Sequence, residues 1–170
     1  MKRAFGPKII TIASGKGGAG KSTFALSLAI ALAQFGIRPL VLDADFGLAN
    51  IDVLLGVQTK ANLSHFFRGE KTLQEIIQIG YDGVRFISGG SGAQALLNLP
   101  PERVARLMQS LAELDSPIDY VLCDVGAGIT ENILQMIAGS AETFIVTTPE
   151  PTSIVDAFAL VKTAFRRGGA

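Results

Sequence analysis

The chain has 170 residues, 48% of them hydrophobic, which is enough for one domain with a substantial core and too apolar for intrinsic disorder. Fifteen acidic side chains balance fifteen basic ones, so there is no global attraction to nucleic acid or to an anionic membrane. A single cysteine, Cys123, excludes an internal disulfide framework and fits a reducing compartment.

Met1–Pro7 starts basic but lacks the apolar stretch of a secretory leader. The most apolar segment, Phe24–Phe35, is too short and too interrupted to span a bilayer, so the expectation is a cytoplasmic chain without a membrane helix. Runs rich in Ile, Val and Leu predict strands at Lys8–Ala13, Pro39–Asp43, Val84–Ser88, Tyr120–Asp124 and Thr143–Thr148. Helical patterns alternate with them at Ser22–Gln34, Leu73–Ile79, Pro101–Leu114, Glu131–Ala138 and Thr152–Phe165. That alternation predicts an α/β fold, a mostly parallel central sheet with helices on both faces. The first helix, dense in Ala and Leu, is expected to pack deep against the sheet, and Pro101 suits a helix first turn. No linker, repeat or low-complexity block divides residues 1–170, which read as a single domain.

Between the first strand and first helix lies Ser14-Gly15-Lys16-Gly17-Gly18-Ala19-Gly20-Lys21-Ser22-Thr23. Gly15, Gly20, Lys21 and Ser22 fill the G-x-x-x-x-G-K-[ST] template of a phosphate-binding loop. Glycines let backbone N–H groups curl into an anion nest, Lys21 can set a charge on β/γ-phosphates, and the Ser22 hydroxyl can ligate Mg²⁺. Gly15, Gly17 and Gly20 also spell the dinucleotide fingerprint G-x-G-x-x-G, with Asp43 where a ribose-binding acid belongs. Lys21-Ser22 decides for a triphosphate, because a dinucleotide loop needs no such pair at the start of its helix.

Ligands of an open parallel sheet lie beyond the carboxyl ends of its strands. Asp43 and Asp45 follow the second predicted strand and Asp124 ends the fourth, so all three are candidates for the Mg²⁺ site that a triphosphate requires. Asp45 is the candidate for orienting the attacking water, and Asp124, before Gly126-Ala127-Gly128, for the metal shell beside a γ-phosphate sensor.

Lys16-Gly17-Gly18-Ala19-Gly20-Lys21-Ser22 resembles the deviant Walker A motif of the MinD/ParA ATPases, Lys16 matching their extra lysine. The segment from Asp43-Ala44-Asp45 to Asn50 and on to Gly56 resembles their switch I, and Asp124-Val125-Gly126-Ala127-Gly128 their switch II. Within that family, Ser88–Gly92 and Thr147–Ser153 most resemble the flagellar-number regulators of the FlhG/FleN group. The resemblance implies an ATP-dependent homodimer with two ATP molecules and Mg²⁺ at its interface. It implies that Lys16 reaches the partner's phosphates, Lys21 holds β/γ oxygens, Ser22 binds Mg²⁺ and Thr23 contacts the α-phosphate. Asp45 then orients water with help from Asn50, while Gly15, Gly17, Gly18, Ala19, Gly20 and Gly126 complete the cradle. Implied partners are a flagellar GTPase or switch-complex protein; division-site selection, DNA partitioning and a non-catalytic interaction module are the alternatives. Measured against the family, the chain reads as C-terminally truncated, ending before a further strand, an adenine-contacting loop and a membrane-targeting helix.

Other residues read as structural. Cys123 is expected in the core, His65 on a helix surface, and Phe66 and Phe67 in the core. Arg103 and Arg106 belong to a mixed-charge helix face, and Ser88–Gly92 to a plain loop in preference to a second anion nest.

Overall fold

Nearly every residue of β1 (Lys8–Ser14) and β2 (Pro39–Ala44) is buried, as is most of β5 (Tyr120–Ala127), the pattern of strands covered on both faces. The computed structural model describes residues 6–46, 49–90, 99–115 and 117–167. It adds β3 (Gln78–Ile79), β4 (Arg85–Ile87) and β6 (Glu142–Ile145), giving the order β3-β4-β2-β5-β1-β6. All neighbours run parallel except β3 against β4. The expected mostly parallel α/β sheet is therefore the observed one.

The helices are α1 (Lys21–Gln34), α2 (Ile51–Leu54), α3 (Leu63–Phe67), α4 (Pro101–Ala112), α5 (Glu131–Ala138) and α6 (Pro151–Arg167). Period-two alternation along the strands divides the core between two faces. Ile9, Ala13, Leu40, Leu42, Val121 and Cys123 join a cluster that takes in α4, α5 and α6. Ile10, Ile12, Val41 and Leu122 join the other cluster, with Ala25, Leu26 and Ala29 of α1. Asp43 and Asp124 stand two residues beyond Val41 and Leu122, so the alternation carries them to the α1 side at the carboxyl end of the sheet. Burial pushes the Cys123 thiol up to about 12, which makes it an inert core residue. At the opposite end of β2 and β5, Asp119 accepts from both the backbone N–H and the guanidinium of Arg38 and anchors the register there.

Several expectations change in detail. Residues Leu73–Ile79 do not form a helix. Gln74–Ile76 make one 3₁₀ turn, started by bonds from Thr72 to the Glu75 carboxylate, and Gln78–Ile79 then pair with β4. Apolar Leu73, Ile76 and Ile77 copy a helical stripe, and extended backbone at Ile77 ends it after one turn. The strand expected over Thr143–Thr148 stops at Ile145, because the backbone N–H of Thr148 turns back to bond the Ser153 hydroxyl of α6. Helix α1 buries only one face; Phe24 and Phe35 are exposed. His65 sits in a capping box, its Nδ1 accepting from the Asn62 N–H, and Phe66 is buried as expected. Arg106 lies over the Phe66 ring, 5.7 Å from its centroid. Along α6, Ile154, Val155, Phe158, Val161 and Phe165 are exposed on a helix whose opposite face buries Ala157 and Leu160. Gly47, Leu48, Ser91, Gly92, Ser116 and Gly168–Ala170 lie outside the described residues.

Candidate nucleotide site

The loop after β1 reaches α1 through two left-handed glycines, Gly18 (φ 76°) and Gly20 (φ 92°). A Cβ at either would be strained by the dihedral alone, since nothing else lies within 4 Å of where it would stand. Gly20 is also the N-cap of α1 and offers no capping side chain. The first helical N–H to find its partner is that of Phe24, bonded to the Gly20 carbonyl at 2.9 Å. Lys21, Ser22 and Thr23 therefore present N–H groups and the positive end of a 14-residue helix to whatever lies before them.

That space is a cavity of about 680 Å³. From the predicted site it is lined by Gly17, Gly18, Gly20, Lys21, Ser22, Thr23, Asp45, Asn50 and Gly126. Phe46, from the switch I-like segment, lines it too, as do Thr130 and Asn132, which carried no motif in the sequence. Lys21 is only 8% exposed.

Gly15 stands apart from the cavity and has a different need for glycine. A Cβ there would come within 2.3 Å of the Asp156 backbone carbon and 2.5 Å of its oxygen, so the missing side chain lets α6 dock against the loop. Lys16 leans the same way, its ammonium bonding the Glu150 carboxylate at 2.5 Å and the Thr152 hydroxyl at 3.4 Å. No local pattern could have paired Lys16 with a residue 134 positions on.

The three carboxylates occupy three different environments. Asp43 is fully buried and accepts three backbone N–H bonds, from Asp45 at 3.2 Å, Asn50 at 2.8 Å and Ile51 at 2.9 Å. Burial pushes it up to about 7; the three N–H donors oppose the rise and the neighbouring Asp124 adds to it. Asp124 pairs in register with Asp43 across β2 and β5. Both its oxygens are sealed from solvent, and no hydrogen bond of normal geometry reaches either. Burial raises its pKa, while the Ser22 hydroxyl and the Lys21 ammonium beside it favour the charged form. Asp45 is half-buried; a Cβ on Gly126 would stand 3.5 Å from its Oδ1.

An orphaned buried carboxylate next to a hydroxyl and an ammonium suits a divalent cation carried by phosphate oxygens. Among the described residues no group of three or more His, Cys, Asp or Glu gathers to hold a metal by itself. The donors present thus fit Mg²⁺, which binds through one or two protein groups, substrate phosphates and water, better than a metal needing a full protein cage.

Two outcomes follow from this geometry. Gly15→Ala should destabilise the chain by about 1–3 kcal/mol through the clash with α6. Gly17→Ala, with nothing within 4 Å of its new methyl group, should stay within about 0.5 kcal/mol. Urea unfolding of both variants measures the difference. The second concerns pH. Asp43 binds its proton more tightly folded than unfolded, so between 3.8 and about 7 the native state holds more protons and this group's contribution to stability falls as pH rises. Asp43→Asn cannot titrate, so its stability relative to the wild type should rise across that window. Glu70, Glu75, Glu131 and Glu150, all lowered by their partners, give the opposite slope in both proteins and cancel in the comparison.

A family model described as ParA, NUBPL iron-transfer P-loop NTPase, matches residues 7–165. The antiactivator FleN of Pseudomonas aeruginosa is 38% identical over 162 residues, 95% of this chain and 58% of FleN. The flagellum site-determining protein YlxH of Helicobacter pylori is 41% identical over 155 residues, 91% of this chain and 53% of YlxH. Among solved structures, the septum site-determining protein MinD of Pyrococcus horikoshii, complexed with Mg-ADP, superposes with a TM-score of 0.82 at 27% identity. That match covers 95% of this chain and 66% of MinD, so the chain spans little more than half to two-thirds of these relatives.

Proposed function

We propose that this chain, which belongs to the ParA family of P-loop NTPases, binds and hydrolyses Mg-ATP as a dimerisation switch in the control of flagellar number or placement. The observation that carries the nucleotide part is the buried, unbonded Asp124 carboxylate beside Ser22 and Lys21, at the uncapped N-terminus of α1. The flagellar part rests on the names of the curated relatives FleN and YlxH.

In this reading the α- and β-phosphates lie over the loop from Gly17 to Gly20, on the free N–H groups at the start of α1. Lys21 holds β/γ oxygens, and its low exposure keeps that charge unscreened. Ser22 and Asp124 would hold Mg²⁺, with Asp45 near, and a bound Mg²⁺ would supply neutralisation of the phosphate charge. Asp45, which lines the same cavity as the loop, orients the attacking water, and Asn50 lines that cavity too. Asp43, whose oxygens already accept three N–H bonds, organises this wall rather than the metal.

Lys16 does not line its own chain's cavity; it is paired with Glu150. Both partners of that pair are substantially exposed, at 43% and 60%, so exchanging Glu150 for a phosphate of a second copy costs little. Among the described residues no helix is long and apolar enough to cross a membrane.

The cross-dimer role predicts an asymmetric effect of Lys16→Ala. Steady-state ATP turnover should fall by about a hundredfold or more, as when a charge-stabilising donor is lost, while Mg-ATP affinity changes by less than about threefold. Wild-type turnover in the variant would remove Lys16 from the chemistry.

A further inference from the structure

The turn after β4 arrives beside the second carboxylate-bearing segment. β4 pairs with β2 so that Leu40, Val41 and Leu42 face Arg85, Phe86 and Ile87, which delivers Ser88, Gly89 and Gly90 alongside Asp43. All three residues are buried. A Cβ on Gly89 would stand 2.7 Å from the Asp43 carbonyl oxygen and 3.2 Å from the Ala49 methyl, so only glycine lets the two chains meet at this distance. Gly90 is left-handed (φ 83°), and a Cβ there would meet Asn62 Nδ2 at 2.7 Å. The Ser88 hydroxyl accepts from the Gly90 N–H at 3.2 Å and faces Asp52 Oδ2 at 3.4 Å. Among the described residues, Ala49 and Asn62 thus stand where side chains on Gly89 and Gly90 would be.

What the turn grips is the backbone that carries the water-orienting wall. Gly89 lies close against the main chain of Asp43. The Asp43 carboxylate gathers the N–H groups of Asp45, Asn50 and Ile51. Ser88 holds Asp52, one residue further on. The described ends of the segment from Asp45 to Asp52 are both tied to two adjacent strand ends, and neither tie reaches the cavity.

We propose that Asp43 and the turn Ser88-Gly89-Gly90 are positioning residues for hydrolysis: they fix where Asp45 and Asn50 stand against the nucleotide, without touching it. This rests on the nucleotide reading above and adds to it the parts that set the catalytic wall. Asp43→Asn is the sharpest probe, being nearly isosteric. One of its two carboxylate oxygens becomes an NH₂ group facing N–H donors, so either Asp45 or the Asn50–Ile51 pair loses its acceptor. Gly89→Ala probes the same wall through the Asp43 main chain.

The test combines amide exchange by NMR with nucleotide kinetics on both variants. Exchange at Asp45, Asn50 or Ile51 should accelerate by about tenfold or more, while β5 amides keep their protection. The kcat should fall by about tenfold or more with the Mg-ATP dissociation constant within about threefold, the split expected when a transition-state group is misplaced and binding is kept. Unchanged exchange and unchanged turnover in Asp43→Asn overturn the proposal, whatever Gly89→Ala does to folding. So does a parallel loss of affinity and kcat with β5 protection intact, since that would put Asp43 on the nucleotide itself. A wild-type chain that bound no Mg-ATP would instead overturn the nucleotide reading, and exchange at the three amides would still decide whether the brace exists.

Discussion

Two carboxylates buried side by side organise this molecule. Parallel pairing puts Asp43 and Asp124 in register on neighbouring strands, and alternation sends both to the α1 side of the sheet. Neither is stable there by packing alone, because an ionised carboxylate removed from water requires a compensating partner. They find different partners. Asp43 is satisfied internally, by three N–H groups of the segment that follows β2. Asp124 is not satisfied that way; its oxygens stay buried with no hydrogen bond of normal geometry, beside the Ser22 hydroxyl and the Lys21 ammonium. One acid therefore shapes the protein, and its neighbour is the one on which the proposed cation site rests.

The glycines sort by the same logic of close approach and conformation. Gly18 and Gly20 are needed for left-handed backbone at the mouth of α1. Gly15 and Gly89 are needed because another backbone passes where their side chains would be. Gly15 couples the phosphate loop to α6, and Gly89 couples the end of β4 to Asp43. In the proposed switch, a ligand that moved the loop or Asp45 would act on these packed neighbours, which is how a local phosphate contact is converted into a change elsewhere.

Much of this was legible in the sequence. Strand runs rich in Ile, Val and Leu marked five of the six strands, most plainly β1, β2 and β5, whose burial leaves little polar alternation to confuse the reading. The phosphate loop was legible because its chemistry is local, contained in ten consecutive residues. The stripe Leu73, Ile76, Ile77 misled, because a single 3₁₀ turn followed by an edge strand shows the same spacing of apolar residues as a helix. The pairing of Lys16 with Glu150 and the contact of Gly89 with Asp43 were not legible, because both are set by where parallel strands end in space. Asp43 was visible as an acid at a strand end, yet only geometry separates an acid that accepts main-chain bonds from one left open.

The central claim is that the carboxyl end of this sheet is a Mg-ATP site in the chain as it stands. Calorimetric titration of the folded 170-residue chain with ATP, with and without Mg²⁺, tests it most directly. A Mg-ATP site gives saturable binding of about one nucleotide per chain with a micromolar Kd, tightened by Mg²⁺. A folded sample that shows no saturable heat with millimolar Mg-ATP would contradict it.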